Sequence, residues 1–283
     1  MPSASGIRSV VVTGGSGKAG RPVVRRLVEA GYRVLNVDLT PSKEAVSRFL
    51  CADLTELGQA IDALKGSDAV VHLAAIPAPR LHTDEVTFRT NVTSTHNVFA
   101  AATTLGLKRV VWASSETVLG LPFDRVQPDY APIDEESPLY PETLYALSKV
   151  LGEEMARQFS RWSGIPFVAL RFSNVIEPDD YDRFTGFWGD ATSRKWNLWG
   201  YVDARDVAQA CQRALEADIN GAEAFIIAAA DTVMNRPSKD LMREVFPKVP
   251  VRGVSEHGTL LSIEKAKRLL GYAPEHSWRS YVT

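Results

Sequence analysis

Two sets of residues in this chain have types and spacings that can do chemistry together. Tyr145 and Lys149 stand at i and i+4, which puts both on one face of a helix. A tyrosine titrates near pH ~10, too high for a base in neutral water. A neighbouring ammonium, or a positive nicotinamide ring, favours the phenolate and lowers that value. The pair then serves as a general acid/base for a hydroxyl or a carbonyl. Ser115 closes an apolar run upstream and can hydrogen-bond the same reacting oxygen. The second set is Gly14, Gly17 and Gly20, with Gly15-x-Gly17-x-x-Gly20 fitting a dinucleotide fingerprint. Such glycines allow a tight turn, a close backbone approach to a pyrophosphate, and close helix packing. Asp38 ends the next apolar run and can accept from a ribose 2′-OH. Taken singly, Tyr-x-x-x-Lys reads as a surface helix pair and the glycines as an ordinary turn. In one chain and in this order, they point to a dinucleotide site beside a general acid/base pair.

The elements that must carry these residues alternate along the chain. Val10-Val11-Val12 reads as a buried parallel strand, followed by a helix from about Lys18 to Ala30, with Gly31 as its C′ residue. Arg33–Asp38 is a strand, Leu57–Leu64 a helix, and Ala69–Ala75 a strand ended by Pro77 and Pro79. Thr83-Asp84-Glu85 reads as the cap of a helix that reaches Leu105 and stops at Gly106. Arg109–Ala113 is a strand, residues 120–140 a loop, Glu142–Trp162 a long helix, and Phe167–Phe172 a further strand. This alternation predicts an α/β fold, a doubly wound parallel (Rossmann) sheet with ligands beyond the carboxyl ends of its strands. Residues 1–175 form the dinucleotide-binding part, with returns near 201–230. Residues 176–283 form mainly a small substrate-binding lobe.

The chain has 283 residues, 45% of them hydrophobic and 23% charged, as in globular domains with a large core. Its net charge of −2 gives no reason to expect nucleic acid or an acidic membrane as partner. Cys51 and Cys211 lack metal-like spacing, so no metal is expected and both read as small core residues in a reducing compartment. Met1–Gly6 carries no apolar leader and no run is long enough to span a bilayer, so a cytoplasmic protein is expected.

With these residues placed, the chain resembles the extended short-chain dehydrogenase/reductases, the NAD-dependent epimerase/dehydratase family. The resemblance runs over nearly the whole length. It is carried by Thr13–Gly20, Asp38, Asp53-Leu54, His72–Ala75, Asn91-Val92, Ser114–Gly120, Tyr145 with Lys149, Arg171–Val175, Tyr201–Ala208 and Ser262–Tyr272. It implies a catalytic set of Ser115, Tyr145 and Lys149. It implies NAD contacts from Gly14, Ser16, Gly17, Lys18, Ala19, Gly20, Asp38, Leu39, Asp53, Leu54, Leu73, Ala74, Ala75, Asn91, Tyr145, Lys149 and Phe172. Ser115, Glu116 and Asn174 are implied on the substrate side.

The departures bear on substrate. Glu116 and Thr117 stand where sugar-nucleotide dehydratases carry an Asp-Glu pair, which disfavours elimination of water. The stretch from Asp179 to Gly200 is shorter than the segment with which nucleotide-sugar epimerases hold a uridine diphosphate. It is aromatic and basic. Arg183 and Trp188 are expected to touch substrate there, by bidentate pairing and by stacking, while most of the other aromatics pack the lobe. The main expectation is an oxidoreductase moving a hydride between NAD and a secondary alcohol or ketone of a compact polar substrate, a sugar or sugar acid. A UDP-sugar 4-epimerase with tightly held NAD, and a dinucleotide-sensing protein without turnover, remain as alternatives. Asp38 predicts NAD over NADP, by repelling a 2′-phosphate. The small and apolar residues of the helices near 84–105 and 142–162 predict a C₂ homodimer, as that family forms.

Overall fold

The structure, a computed structural model, describes residues 6–281. The leader reading of Met1–Ser5 therefore lies outside the described residues. Among the described residues there are nine strands: β1 (Ser9–Thr13), β2 (Arg33–Asp38), β3 (Arg48–Cys51), β4 (Ala69–His72), β5 (Arg109–Ser115), β6 (Phe167–Phe172), β7 (Val175–Ile176), β8 (Val202–Asp203) and β9 (Ala222–Ile227). Seven of them form one parallel sheet in the order β3-β2-β1-β4-β5-β6-β9, and β7 and β8 pair separately. The order reverses at β1, which pairs with both β2 and β4. That reversal opens a crevice beyond the carboxyl ends of the strands.

Among the described residues there are seven α-helices: α1 (Gly20–Glu29), α2 (Leu57–Leu64), α3 (Asp84–Leu105), α4 (Leu144–Ser163), α5 (Ala204–Glu216), α6 (Ser238–Val245) and α7 (Glu264–Leu270). On one face α1 packs on α5; on the other, α2, α3 and α4 lie side by side. The Val10–Val12 run is apolar throughout because both faces are covered. Val10 and Val12 pack in the layer with Val23 and Leu27, and Val11 packs opposite with Leu64 and Phe99.

The ends of the helices follow their capping residues. Thr143 accepts from the Ala146 N–H at 3.0 Å, so α4 begins at Leu144 and not at Glu142. Thr83 precedes α3 but makes no such bond, contrary to the cap expected there. Gly106 (φ +65°) and Gly164 (φ +75°) close α3 and α4 in the left-handed conformation, as C′ glycines do.

Two details differ from expectation. No element was expected over the residues of strand β3. It is an edge strand with all four residues exposed, so no buried alternation marks it. Cys51 lies in it and is exposed, while Cys211 is buried as expected. Strand β9, in the stretch near 201–230 expected to return to the dinucleotide-binding part, lies at the edge of the main sheet, and one apolar cluster runs from Leu27 through Cys211 to Trp199 and Trp278. Among the described residues no helix is long and apolar enough to cross a membrane.

Candidate active site

The crevice is a cavity of about 1080 Å³ running along the strand ends. Its first part is built by the glycine loop between β1 and α1. Gly14 has φ +70°, and a Cβ there would lie 2.6 Å from the Ala74 nitrogen. A Cβ on Gly20 would lie 2.1 Å from the Gly14 carbonyl oxygen, so only glycine lets α1 start so close to the loop. A Cβ on Gly17 would meet Gly14 O at 3.4 Å and otherwise open space, so this wall is bare backbone. The helix N-terminus adds partial positive charge beside that backbone. Asp38, at the end of β2, also lines the cavity. Its two oxygens accept from Ser16 N–H at 3.1 Å and Leu39 N–H at 2.7 Å, which fixes the carboxylate across the loop. A bare-backbone cradle at a helix N-terminus, faced by a fixed carboxylate, suits a pyrophosphate and a ribose diol.

Lys18, Ala19, Leu39, Asp53, Leu54, Leu73, Ala74, Ala75 and Phe172 share this wall. Two expected contacts do not. Ser16 is off the wall, its N–H holding Asp38 and its hydroxyl accepting from Asn36 at 3.1 Å. Asn91 is buried and clasps both the N–H (2.8 Å) and the carbonyl (3.0 Å) of Ile76. It shapes the loop after β4 from behind. Lys18 bonds Asp180 at 2.8 Å and Arg21 bonds Glu177 at 2.6 Å, tying the cradle to the segment after β7.

The far part of the cavity holds Ser115, Tyr145 and Lys149 together. Ser115 Oγ accepts from the Thr117 N–H (3.2 Å) and hydroxyl (3.0 Å). With both acceptor positions used, its own proton is left to donate. The Lys149 ammonium donates to the Ala113 carbonyl at 2.8 Å and stands 5.7 Å from the Tyr145 ring centre. The expected lowering of the Tyr145 value is not present in the chain by itself. Burial pushes the phenol up to about 12, with Ser115 pulling it down and the Glu116 charge pushing it further up. Burial also pushes Lys149 down to about 8. Both shifts disfavour charge in a dry site. His72, buried beneath, is pushed down to about 3 by burial and the Lys149 charge; it bonds Thr13 at 2.7 Å.

Helix α4 is anchored by a buried pair that sequence reasoning missed. Glu153 accepts from Arg171 at 2.9 and 2.8 Å and from the Ser114 hydroxyl at 2.7 Å. This ties α4 to the ends of β5 and β6. Removing one partner of such a buried pair costs roughly 3–5 kcal/mol. Glu153 follows Lys149 by one helical turn, and that carboxylate on the inward face was the available signal.

On the substrate side, Glu116 and Asn174 lie on the wall, and Trp196 joins them. Arg183 and Trp188 do not. Arg183 points to solvent and pairs with Asp180 at 3.1 Å. The Trp188 ring nitrogen donates to Val233 O at 3.0 Å, and the ring packs 5.2 Å from Trp278. Spacing in a segment of irregular turns could not say which aromatics face inward.

A sequence profile described as the NAD dependent epimerase/dehydratase family matches residues 10–228. An NAD-dependent glucose-6-phosphate dehydrogenase of Haloferax volcanii is 28% identical over 195 residues, 63% of this chain and 74% of that one. UDP-glucose 4-epimerase 2 of Oryza sativa subsp. japonica is 31% identical over 199 residues, 60% of this chain and 45% of that one. The chain spans about half the length of several curated relatives it matches. A crystal structure of UDP-galactose 4-epimerase superposes with a TM-score of 0.71 at 28% identity, covering 95% of this chain and 94% of that one.

Proposed function

The chain belongs to the NAD-dependent epimerase/dehydratase family, and from that premise we propose that it is an NAD-dependent dehydrogenase acting on a secondary alcohol of a compact sugar or sugar acid. The observation that carries this reading is the convergence of Ser115, Tyr145 and Lys149 on one cavity with the glycine cradle and Asp38. NAD, when bound, supplies the hydride acceptor. Ser115 donates to the substrate oxygen and holds it. Tyr145 Oη takes the hydroxyl proton as the carbinol carbon gives up its hydride, and a carbonyl forms. Lys149 offsets the charge on the phenolate, and its bond to Ala113 O fixes where that charge sits. The buried walls exclude water, which strengthens each of these interactions. The test is net NAD reduction with a panel of sugars, uronates and hydroxy acids. A UDP-sugar 4-epimerase uses the same three residues and stays the second reading, favoured by the relatives of that name.

The preference for NAD rests on Asp38. Its fixed carboxylate would accept from ribose hydroxyls and repel a 2′-phosphate. The expected kcat/KM is higher with NAD than with NADP, and Asp38→Ser is expected to narrow that gap. Better use of NADP by the unaltered protein would refute the assignment.

A C₂ homodimer through α3 and α4 also remains a proposal. Val98, Ala101 and Ala102 are consumed inside the chain, but Leu144, Leu151 and Trp162 of α4 are exposed. Unpartnered apolar surface of this kind favours self-association. Sedimentation at micromolar concentration is expected to give twice the chain mass; a monomer counts against the dimer.

A further inference from the structure

Beyond β7, three tryptophans spend their indole N–H inside the chain. Trp188 donates to Val233 O at 3.0 Å, Trp199 to Ala191 O at 2.7 Å and Trp278 to Thr232 O at 2.7 Å. Trp196 differs. It is half-buried on the cavity wall. Its Nε1 donates to no group among the described residues and keeps access to solvent. Where an indole is covered by its own protein, its N–H normally finds a partner there. A ring on a cavity wall with that donor unspent has the form of a binding surface.

The ring is backed and held. The Arg194 guanidinium stacks 4.9 Å from the Trp196 ring centre and 5.1 Å from that of Phe187, and it donates to Gly200 O at 3.1 Å. One indole face is thereby covered, and among the described residues no second ring or cation stacks on the other. The turn that follows fixes the backbone. Asn197 is fully buried and donates to Gly200 O at 2.8 Å and to Glu116 Oε1 at 3.3 Å. Leu198 (φ +52°) and Trp199 (φ +56°) stand in the left-handed region. That conformation is costly for a residue with a Cβ and persists only where packing imposes it; both side chains are fully buried. Glu116 directly follows Ser115, so the Asn197 bond places Trp196 at the Ser115 end of the cavity and away from the glycine cradle.

Resting on the dehydrogenase reading above, we propose that Trp196 is the specificity residue that selects a sugar in its ring form. Its uncovered face packs the C–H face of the sugar ring, and its Nε1 donates to an oxygen on the rim. A cyclic sugar offers both at once, a rigid apolar face bordered by acceptor oxygens. An open-chain polyol or hydroxy acid carries the oxygens, but it must freeze several rotatable bonds before it presents a face, which weakens binding.

The test pairs each cyclic sugar with its open-chain form reduced at C1, at saturating NAD: D-glucose with D-glucitol, D-galactose with galactitol, and D-glucuronate with L-gulonate. An open-chain partner that is not oxidised is read as a competitive inhibitor. A hemiacetal and a plain carbinol differ in reactivity, so the deciding quantity is the change caused by substitution. Trp196→Ala is expected to raise KM for the cyclic sugar by about tenfold or more, with kcat within about threefold. The constants for the open-chain partner and for NAD are expected to stay within about twofold, because neither uses the indole face. Trp196→Leu keeps apolar bulk without the flat face and is expected to act as Ala does; it decides should the Ala variant not fold. Trp196→Phe restores a face without the N–H and is expected to recover most of the lost affinity. An unchanged KM for the cyclic sugar in a folded Ala or Leu variant would overturn the proposal. So would an equal loss for both members of a pair. Weakened NAD binding with the sugar KM unchanged would give the ring to the cofactor and overturn it as well. No NAD reduction with any of these sugars would sink the dehydrogenase reading and this proposal with it; sugar oxidation indifferent to Trp196 would sink this proposal alone.

Discussion

Replacing Tyr145 by Phe is expected to lower kcat by about 10²–10⁴-fold, the usual contribution of a positioned acid/base group, while the NAD dissociation constant stays within about twofold. The substitution removes only the phenolic oxygen. The ring stays buried against the start of α4, and the glycine cradle and Asp38 lie at the other part of the cavity, so binding has no reason to change. Turnover with a substrate of the native protein, paired with NAD titration, checks both halves. Wild-type turnover in the Phe variant would make Tyr145 a structural residue of α4 and remove the proton-transfer step.

Lys149→Met is expected to act differently. Turnover falls by at least about 10²-fold, NAD affinity weakens with it, and the remaining activity moves to higher pH. The physical reason lies in the two opposed shifts. Burial holds the Tyr145 phenol near 12 and Lys149 near 8. Below about 8 the ammonium carries its charge and supports the phenolate; above it, that support fades. Oxidation by the unaltered protein therefore climbs with pH while Tyr145 deprotonates more readily, and bends as Lys149 becomes neutral. The Met variant lacks the charge at every pH, so its profile climbs without that bend and starts higher. Methionine also leaves the Ala113 carbonyl without its donor, a cost of about 1–3 kcal/mol that thermal melting reads separately. A variant with wild-type NAD affinity and an unshifted profile would contradict the role given to Lys149.

Much of this was legible in the chain because it rests on local rules. Val10–Val12, the three glycines and Asp38 have to occur in that order for a strand to turn onto a phosphate-facing helix, and the structure has them so. Gly106 and Gly164 end their helices for a local reason as well. What sequence could not supply were facts set by tertiary surroundings. The direction of the Tyr145 shift depends on how dry its surroundings are, and the charge rule for Tyr-x-x-x-Lys does not contain that term. Edge strand β3 has no buried face to leave a pattern. Arg183 and Trp188 sit in a segment of irregular turns, where no period tells inside from outside. Arg183 went to Asp180, Trp188 to the Val233 carbonyl, and Trp196 took the wall. Glu153 owes its importance to burial, which a carboxylate in a sequence does not announce.

The central claim is that the three residues at the far end of the cavity run a net oxidation. It is tested most directly by incubating the purified protein with added NAD and the substrate panel, and following accumulated NADH and converted sugar together. The account predicts one NADH for each alcohol oxidised, continuing over many turnovers. Interconversion of UDP-sugars, with no NADH accumulating and no need for added NAD, would contradict it.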